Sequence, residues 1–258
     1  MNGLLNIILI FLSFQTPGDS VSSIARADSE FASMNYSGAR TIYDSLVTSK
    51  DSAVILWKLA RAAICEGDIS SPKIKIELYA EAKKFAERSV RADSLNSDSH
   101  AWLAAAVGNI AMFEGGKTKV RLCFVIKHEI DRSLELDSLN ALAYSILGSF
   151  YKALGDVSWI EKQLAHVFLG GLPDGGYDES VAAFQRAIAL EPEVIRNHHE
   201  LGKVYILQDR EFEAMAEFQR TLSLPVRVGA DCEMQHSAAK LIQELKQKYP
   251  DEFGGMEY

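Results

Sequence analysis

The chain is poor in several things at once. Its three cysteines, Cys65, Cys123 and Cys232, are odd in number and far apart, which excludes a disulfide framework and a zinc-ligand spacing. Cations are the minority: 27 Lys and Arg stand against 35 Asp and Glu, for a formal charge of −8 over 258 residues. Without a basic cluster to release counterions, nucleic acid is not an expected partner. Only 6 prolines are present, and the alternating β-branched runs that mark strands are missing. No apolar run reaches the roughly 18 residues that a membrane helix needs.

The apolar run "LLNIILIFLSF" at 4–14 has the length of a signal-peptide core. Pro17-Gly18 and a Ser-rich stretch follow it as a turn signal, with Ser20-Val21-Ser22 as a candidate cleavage site, although no Lys or Arg precedes the run. Residues 1–20 are therefore expected to form a leader and 21–258 a single domain. The expected location is exported, periplasmic or secreted in a bacterium, with membrane attachment by an uncleaved leader as the alternative.

What the chain does have is a helical repeat. "YSILGSFY" at 144–151 and "HHELGKVY" at 198–205 share an aromatic ring, then Leu-Gly, then Tyr, and lie 54 residues apart (198 minus 144). The segment 195–225 fits one tetratricopeptide unit, a helix–turn–helix of about 34 residues. Its first helix packs through His198, Leu201, Gly202 and Tyr205, and its second through Ala214, Phe218 and Thr221, with Pro225 behind. The preceding unit has Tyr144, Leu147, Gly148 and Tyr151, then Ser180, Phe184 and Ala187. "DSLN" at 93–96 and 137–140 separates earlier units, which open on His100 and Trp57, and Ala39, Tyr43 and Leu46 mark a worn first one. The spacing of 54 is one unit plus about 20 residues, placed between the helices of the fourth pair. That insert reads as a helix over Trp159 to Phe168 and a turn-rich loop, "GGLPDGG". Shorter insertions fall at "GDISSPKIK" and "EGGKTKVRL". The predicted fold is all-α: a tetratricopeptide-like α-α superhelix of about five helix pairs, with long inserted loops and a capping helix near 231–248.

In such a superhelix the second, fifth, ninth and twelfth positions of each first helix face the concave side. They place Lys58, Lys152, Arg196, His199 and Lys203 in a groove whose middle is small or apolar, as with Ala101, Ala105 and Ser145. Four cations against Asp98 suit a ligand with an acidic end and an apolar body.

Three short matches to enzyme motifs fail. "AMFEGGKT" at 111–118 lacks the first Gly of a phosphate-binding loop and joins helices instead of following a strand. The imidazoles of "HHE" at 198–200 sit about 100° apart on a helix, so they do not share a metal. Cys123 and His128 have no orienting group or oxyanion site nearby, and Cys123 reads as a small apolar residue. No enzyme, metal or cofactor is expected.

The blocks "KHEIDRSLELD" (127–137), "LGSFYKALGDVSWIEK" (147–162), "FLGGLPDGGYDESVAAF" (168–184) and "EPEVIRNHHELGKVY" (191–205) resemble the regulator of microtubule dynamics family. That family is a tetratricopeptide-like group with animal members and bacterial relatives. The resemblance implies no catalytic residue. It associates animal members with microtubules and with membrane contact between organelles, their helical domain engaging phospholipid or partner proteins. Two functions are thus expected: a scaffold binding a protein or peptide in its groove or, alternatively, a protein holding a phospholipid or fatty acid there.

Overall fold

The computed structural model describes residues 17–47 and 52–253. Five helix pairs follow in order: α1 (Pro17–Ala32) with α2 (Tyr36–Ser45), α3 (Ala53–Asp68) with α4 (Pro72–Ala92), α5 (Ser97–Ala111) with α6 (Gly116–Leu136), α7 (Ala141–Gly155) with α9 (Tyr177–Leu190), and α10 (Ile195–Leu207) with α11 (Glu211–Ser223). The insert of the fourth pair supplies α8 (Trp159–Leu169), and α12 (Gly229–Lys248) and the short α13 (Pro250–Phe253) close the chain. No strand occurs among the described residues. The apolar run at 4–14, expected to be a leader, lies outside them. Pro17 opens α1, at the position where its fixed φ and missing N–H cost a helix nothing, so the turn expected at Pro17-Gly18 is a helical start instead.

The recurring "DSLN" ends one helix and begins the next. Asp93 and Asp137 each accept the amide of the residue two further on, Leu95 and Leu139, both at 2.9 Å. Asn96 and Asn140 then cap the following helices, accepting the amides of Ser99 and Ala143 at 2.9 Å. The carboxylate shapes the turn and the amide oxygen satisfies an orphan N–H of the next helix, so the turn forms without a Pro.

Glycine sets how closely paired helices approach. A Cβ on Gly148 would stand 2.8 Å from three ring atoms of Phe184, and one on Gly202 would stand 2.6 Å from Phe218. Both rings are fully buried. In the loop after α8, Gly170, Gly171 and Gly175 all take positive φ, and a Cβ on Gly175 would also strike the Tyr151 ring at 2.3 Å. The Leu201, Tyr205 and Ala214 expected in the repeat core are buried, while Tyr144, Leu147 and Tyr151 are half-buried.

Two insertions differ from expectation. The shorter ones do not form loops: they lengthen α4 and α6, each 21 residues long, by adding N-terminal turns. Pro72 and Gly116 stand at the first position of these helices, and beyond them neither helix contains another Gly or Pro, so the added residues propagate the helix.

The last helix does more than cap. It packs on α10 and α11, and its first turn returns to α3. The Gly229 amide donates to the Tyr36 hydroxyl at 2.7 Å, and a Cβ on Gly229 would meet Ile69 Cγ2 at 2.8 Å. The C-terminal end of the superhelix therefore meets its first two pairs, which narrows the concave face to a cleft between α3, α7, α10 and α12.

Candidate binding groove

The cations expected in the groove fall into two charged clusters. In the first, the Lys58 ammonium donates to Asp28 Oδ1 at 2.5 Å, and the Tyr43 hydroxyl donates to the same oxygen. The Arg61 guanidinium lies 3.6 Å from that oxygen and 3.8 Å from the centre of the Phe31 ring. Burial pushes the Asp28 carboxyl up, but the hydrogen bonds from Lys58 and Tyr43 outweigh it and hold the group below its usual range. Lys58 is thus already neutralised within the chain.

The second cluster surrounds Glu200. Lys203 donates to it at 2.9 Å, His199 Nδ1 lies 3.3 Å away, and Lys152 of α7 approaches to 3.8 Å. Burial alone would raise the Glu200 carboxyl; His199, Lys203 and Arg196 reverse that and hold it far below the ordinary carboxylate value. Lys152 also faces Asp156 at 4.0 Å. Arg196 is exposed and makes no ion pair among the described residues, while its charge reaches Cys65 of α3 and Tyr79 of α4 across the cleft. Burial, helped by Asp68, pushes the Cys65 thiol up to about 12, so it stays protonated and unreactive at neutral pH.

The structure thus gathers Lys152, Arg196, His199 and Lys203 and leaves Lys58 in a separate cluster. His199 does not face open solvent: it is 5% exposed, and its Nε2 meets Ser237 Oγ of α12 at 3.0 Å. Neither acid was found by reasoning from groove positions, because Asp28 belongs to α1 and Glu200 is one residue past such a position. The signal for Glu200 lay in "HHE", where a carboxylate follows the groove histidine directly.

The other histidine of that triplet fastens its own repeat. His198 Nδ1 meets Glu217 of α11 at 2.6 Å and its Nε2 meets the Pro192 carbonyl at 3.0 Å. His100 repeats this two pairs earlier, with Glu129 at 2.6 Å and the Ser94 carbonyl at 3.1 Å. Both partners of His100, a carboxylate and a carbonyl, are acceptors, an arrangement that favours its protonated ring. The Glu129 hydrogen bond raises its pKa, against the opposing effect of burial. The two imidazoles of "HHE" therefore diverge to different partners, and they do not form a joint site.

These pairs, inserts and caps can be compared with known proteins. A family model described as regulator of microtubule dynamics protein 1-3 matches residues 23–246. The chain belongs to that family. Regulator of microtubule dynamics protein 1 of Mus musculus is 26% identical over 257 residues, covering 94% of this chain and 84% of the mouse protein. Protein 2 of the same species is 28% identical over 193 residues, which span 74% of this family member but only 47% of that relative. Among solved structures, a thermophilic tetratricopeptide-repeat protein of Thermus thermophilus superposes with a TM-score of 0.65 at 15% identity, covering 87% of this chain and 99% of the other. At that identity the likeness is one of fold, and it places this member among tetratricopeptide-like superhelices.

Proposed function

We propose that the protein is a non-catalytic scaffold whose concave cleft holds the acidic end of a partner protein or peptide. One observation carries this reading. Around the half-buried Glu200 carboxylate gather three permanent cations, Lys152, Arg196 and Lys203; Asp156 adds a second acid 4.0 Å from Lys152, and Arg196 is exposed without an ion-pair partner among the described residues. An incoming carboxylate completes that cluster with charge-assisted hydrogen bonds, and Arg196 offers it a planar fork. Stacked helix pairs present such surfaces to extended segments. The small floor residues Ala101 and Ser145 are themselves buried, so recognition falls to the charged walls and not to a deep apolar slot.

The test uses short fluorescein-labelled peptides with a free C-terminal carboxylate beside their amidated forms. The free carboxylates should bind, and Arg196→Glu with Lys203→Glu should weaken them by about tenfold or more. Equal affinity for the variant would remove this reading. A phospholipid or fatty acid seen by native mass spectrometry in the unaltered protein and missing from the variant would replace the peptide with a lipid.

A further inference from the structure

The extra residues of the second, third and fourth pairs meet along one edge of the superhelix. Phe113, in the turn before α6, stacks 6.2 Å from Tyr79 of α4, and Lys119 of α6 acts electrostatically on Glu161 of α8. Helix α8 packs on α6, and of its described side chains only Ala165 is buried. On its outer side Ile160, Leu164 and Val167 are 63%, 52% and 69% exposed. They are spaced four and then three residues apart, one above another on a single face, which is the narrow seam of a helix that pairs with another helix. Met112, Phe113 and Phe124 are also exposed on the neighbouring α6 side.

The charges on the first turns of α6 are of one kind. Lys117, Lys119 and Arg121 follow one another on the exposed first turns of α6, and none makes an ion pair among the described residues. Several other cations are matched within the chain, as Arg40 is by Glu66 and Glu81, Lys127 by Asp131 and Arg210 by Glu213. On a chain of formal charge −8, a cationic rim beside an uncovered apolar seam is local and selective.

We infer that this edge docks an acidic amphipathic helix of a partner protein, its apolar face on Ile160, Leu164 and Val167 and its carboxylates on Lys117, Lys119 and Arg121. A second copy of the chain is a poorer occupant, because a two-fold pairing would set the same cations against themselves. A lipid surface is also disfavoured. Helices that lie in a membrane interface bury a broad apolar face and carry their cations on the opposite one, whereas the described exposed apolar side chains of α8 form a single row and its polar side mixes Glu161, Lys162, Gln163 and His166. The surface is separate from the concave cleft.

The probe is a synthetic helix with Leu at the a and d positions and Glu at e and g, which keeps it monomeric by repulsion. It should bind the full chain, weaken with added salt, and lose about tenfold or more in affinity to Leu164→Glu. The exposed position of Leu164 leaves the fold intact, which circular dichroism checks, and Arg196→Glu should leave this binding unchanged. The same helix with Lys in place of Glu should not bind. Failure of the Glu helix to bind, or equal binding by Leu164→Glu or by the Lys helix, would overturn the inference. So would co-sedimentation with phosphatidylserine vesicles that Leu164→Glu abolishes, which would make the edge a membrane contact. A concentration-dependent dimer dissolved by the same substitution would overturn it too, by making the edge a self-association surface.

Discussion

Replacing Glu200 by Gln should destabilise the protein and at the same time tighten its grip on an acidic peptide. The carboxylate is the shared counter-charge of Lys203 and Lys152 and lies against His199, so its loss leaves the two ammonium groups facing one another in a partly dry cleft. Removing one partner from a fully buried ion pair costs about 3–5 kcal/mol. Here Lys203 keeps 37% of its side chain in solvent and Lys152 20%, so about 2–3 kcal/mol is expected. For a chain of this size that corresponds to a fall in Tm of roughly 4–12 °C. Because the folded pKa of Glu200 is depressed, its stabilisation is present above the usual carboxylate pKa and disappears as pH falls through the lower folded value. The unaltered and Glu200→Gln proteins should therefore differ most near neutral pH and converge only in strong acid, as read by thermal melts across pH. The peptide with a free carboxylate should bind Glu200→Gln more tightly, since no internal acid competes for Arg196 and Lys203. Equal stability at neutral pH would show that the cluster is solvated and carries little energy.

The second large effect lies at the Gly202–Phe218 contact. Phe218 is fully buried against the small face of α10, so Phe218→Ala should cost about 3–5 kcal/mol. Gly202→Ala puts a methyl 2.6 Å from the ring; overpacking of about 1–3 kcal/mol outweighs a helix-propensity gain of about 1 kcal/mol. The diagnostic is the double variant. Phe218→Leu opens space at the ring edge, so Gly202→Ala with Phe218→Leu should be more stable than the sum of the two single losses. Strict additivity in denaturant titrations would mean that the glycine is not there for close approach.

Much of this architecture was readable in the amino-acid order because each unit repeats its own packing chemistry. Gly148 and Gly202 meet Phe184 and Phe218 where the shared phrases place them, and the extra span of the fourth pair holds α8 and its glycine loop as its composition implied. The shorter insertions were misjudged. Turn signals such as Gly115-Gly116 do begin α6, but the residues after them extend the helix, and local composition does not distinguish a loop from added turns. Long-range placement was not legible either. Nothing in periodicity indicates that Gly229 returns to Tyr36 and Ile69, or that α12 covers His199, because both depend on how the pairs are pitched relative to one another. The charged site was half visible for the same reason: groove positions give its cations, while Asp28 and Glu200 reach them from outside that register.

The enclosed cleft depends on that return of α12, and a cross-link tests it most directly. Ile69→Cys with Gly229→Cys places two Cβ atoms within reach of a disulfide, since a Cβ at position 229 stands 2.8 Å from Ile69 Cγ2. Under mild oxidation, peptide mapping by mass spectrometry should recover the 69–229 link as the dominant intramolecular product. An open superhelix would instead leave both thiols free, or joined only to Cys65, Cys123 or Cys232, and would contradict the closed arrangement.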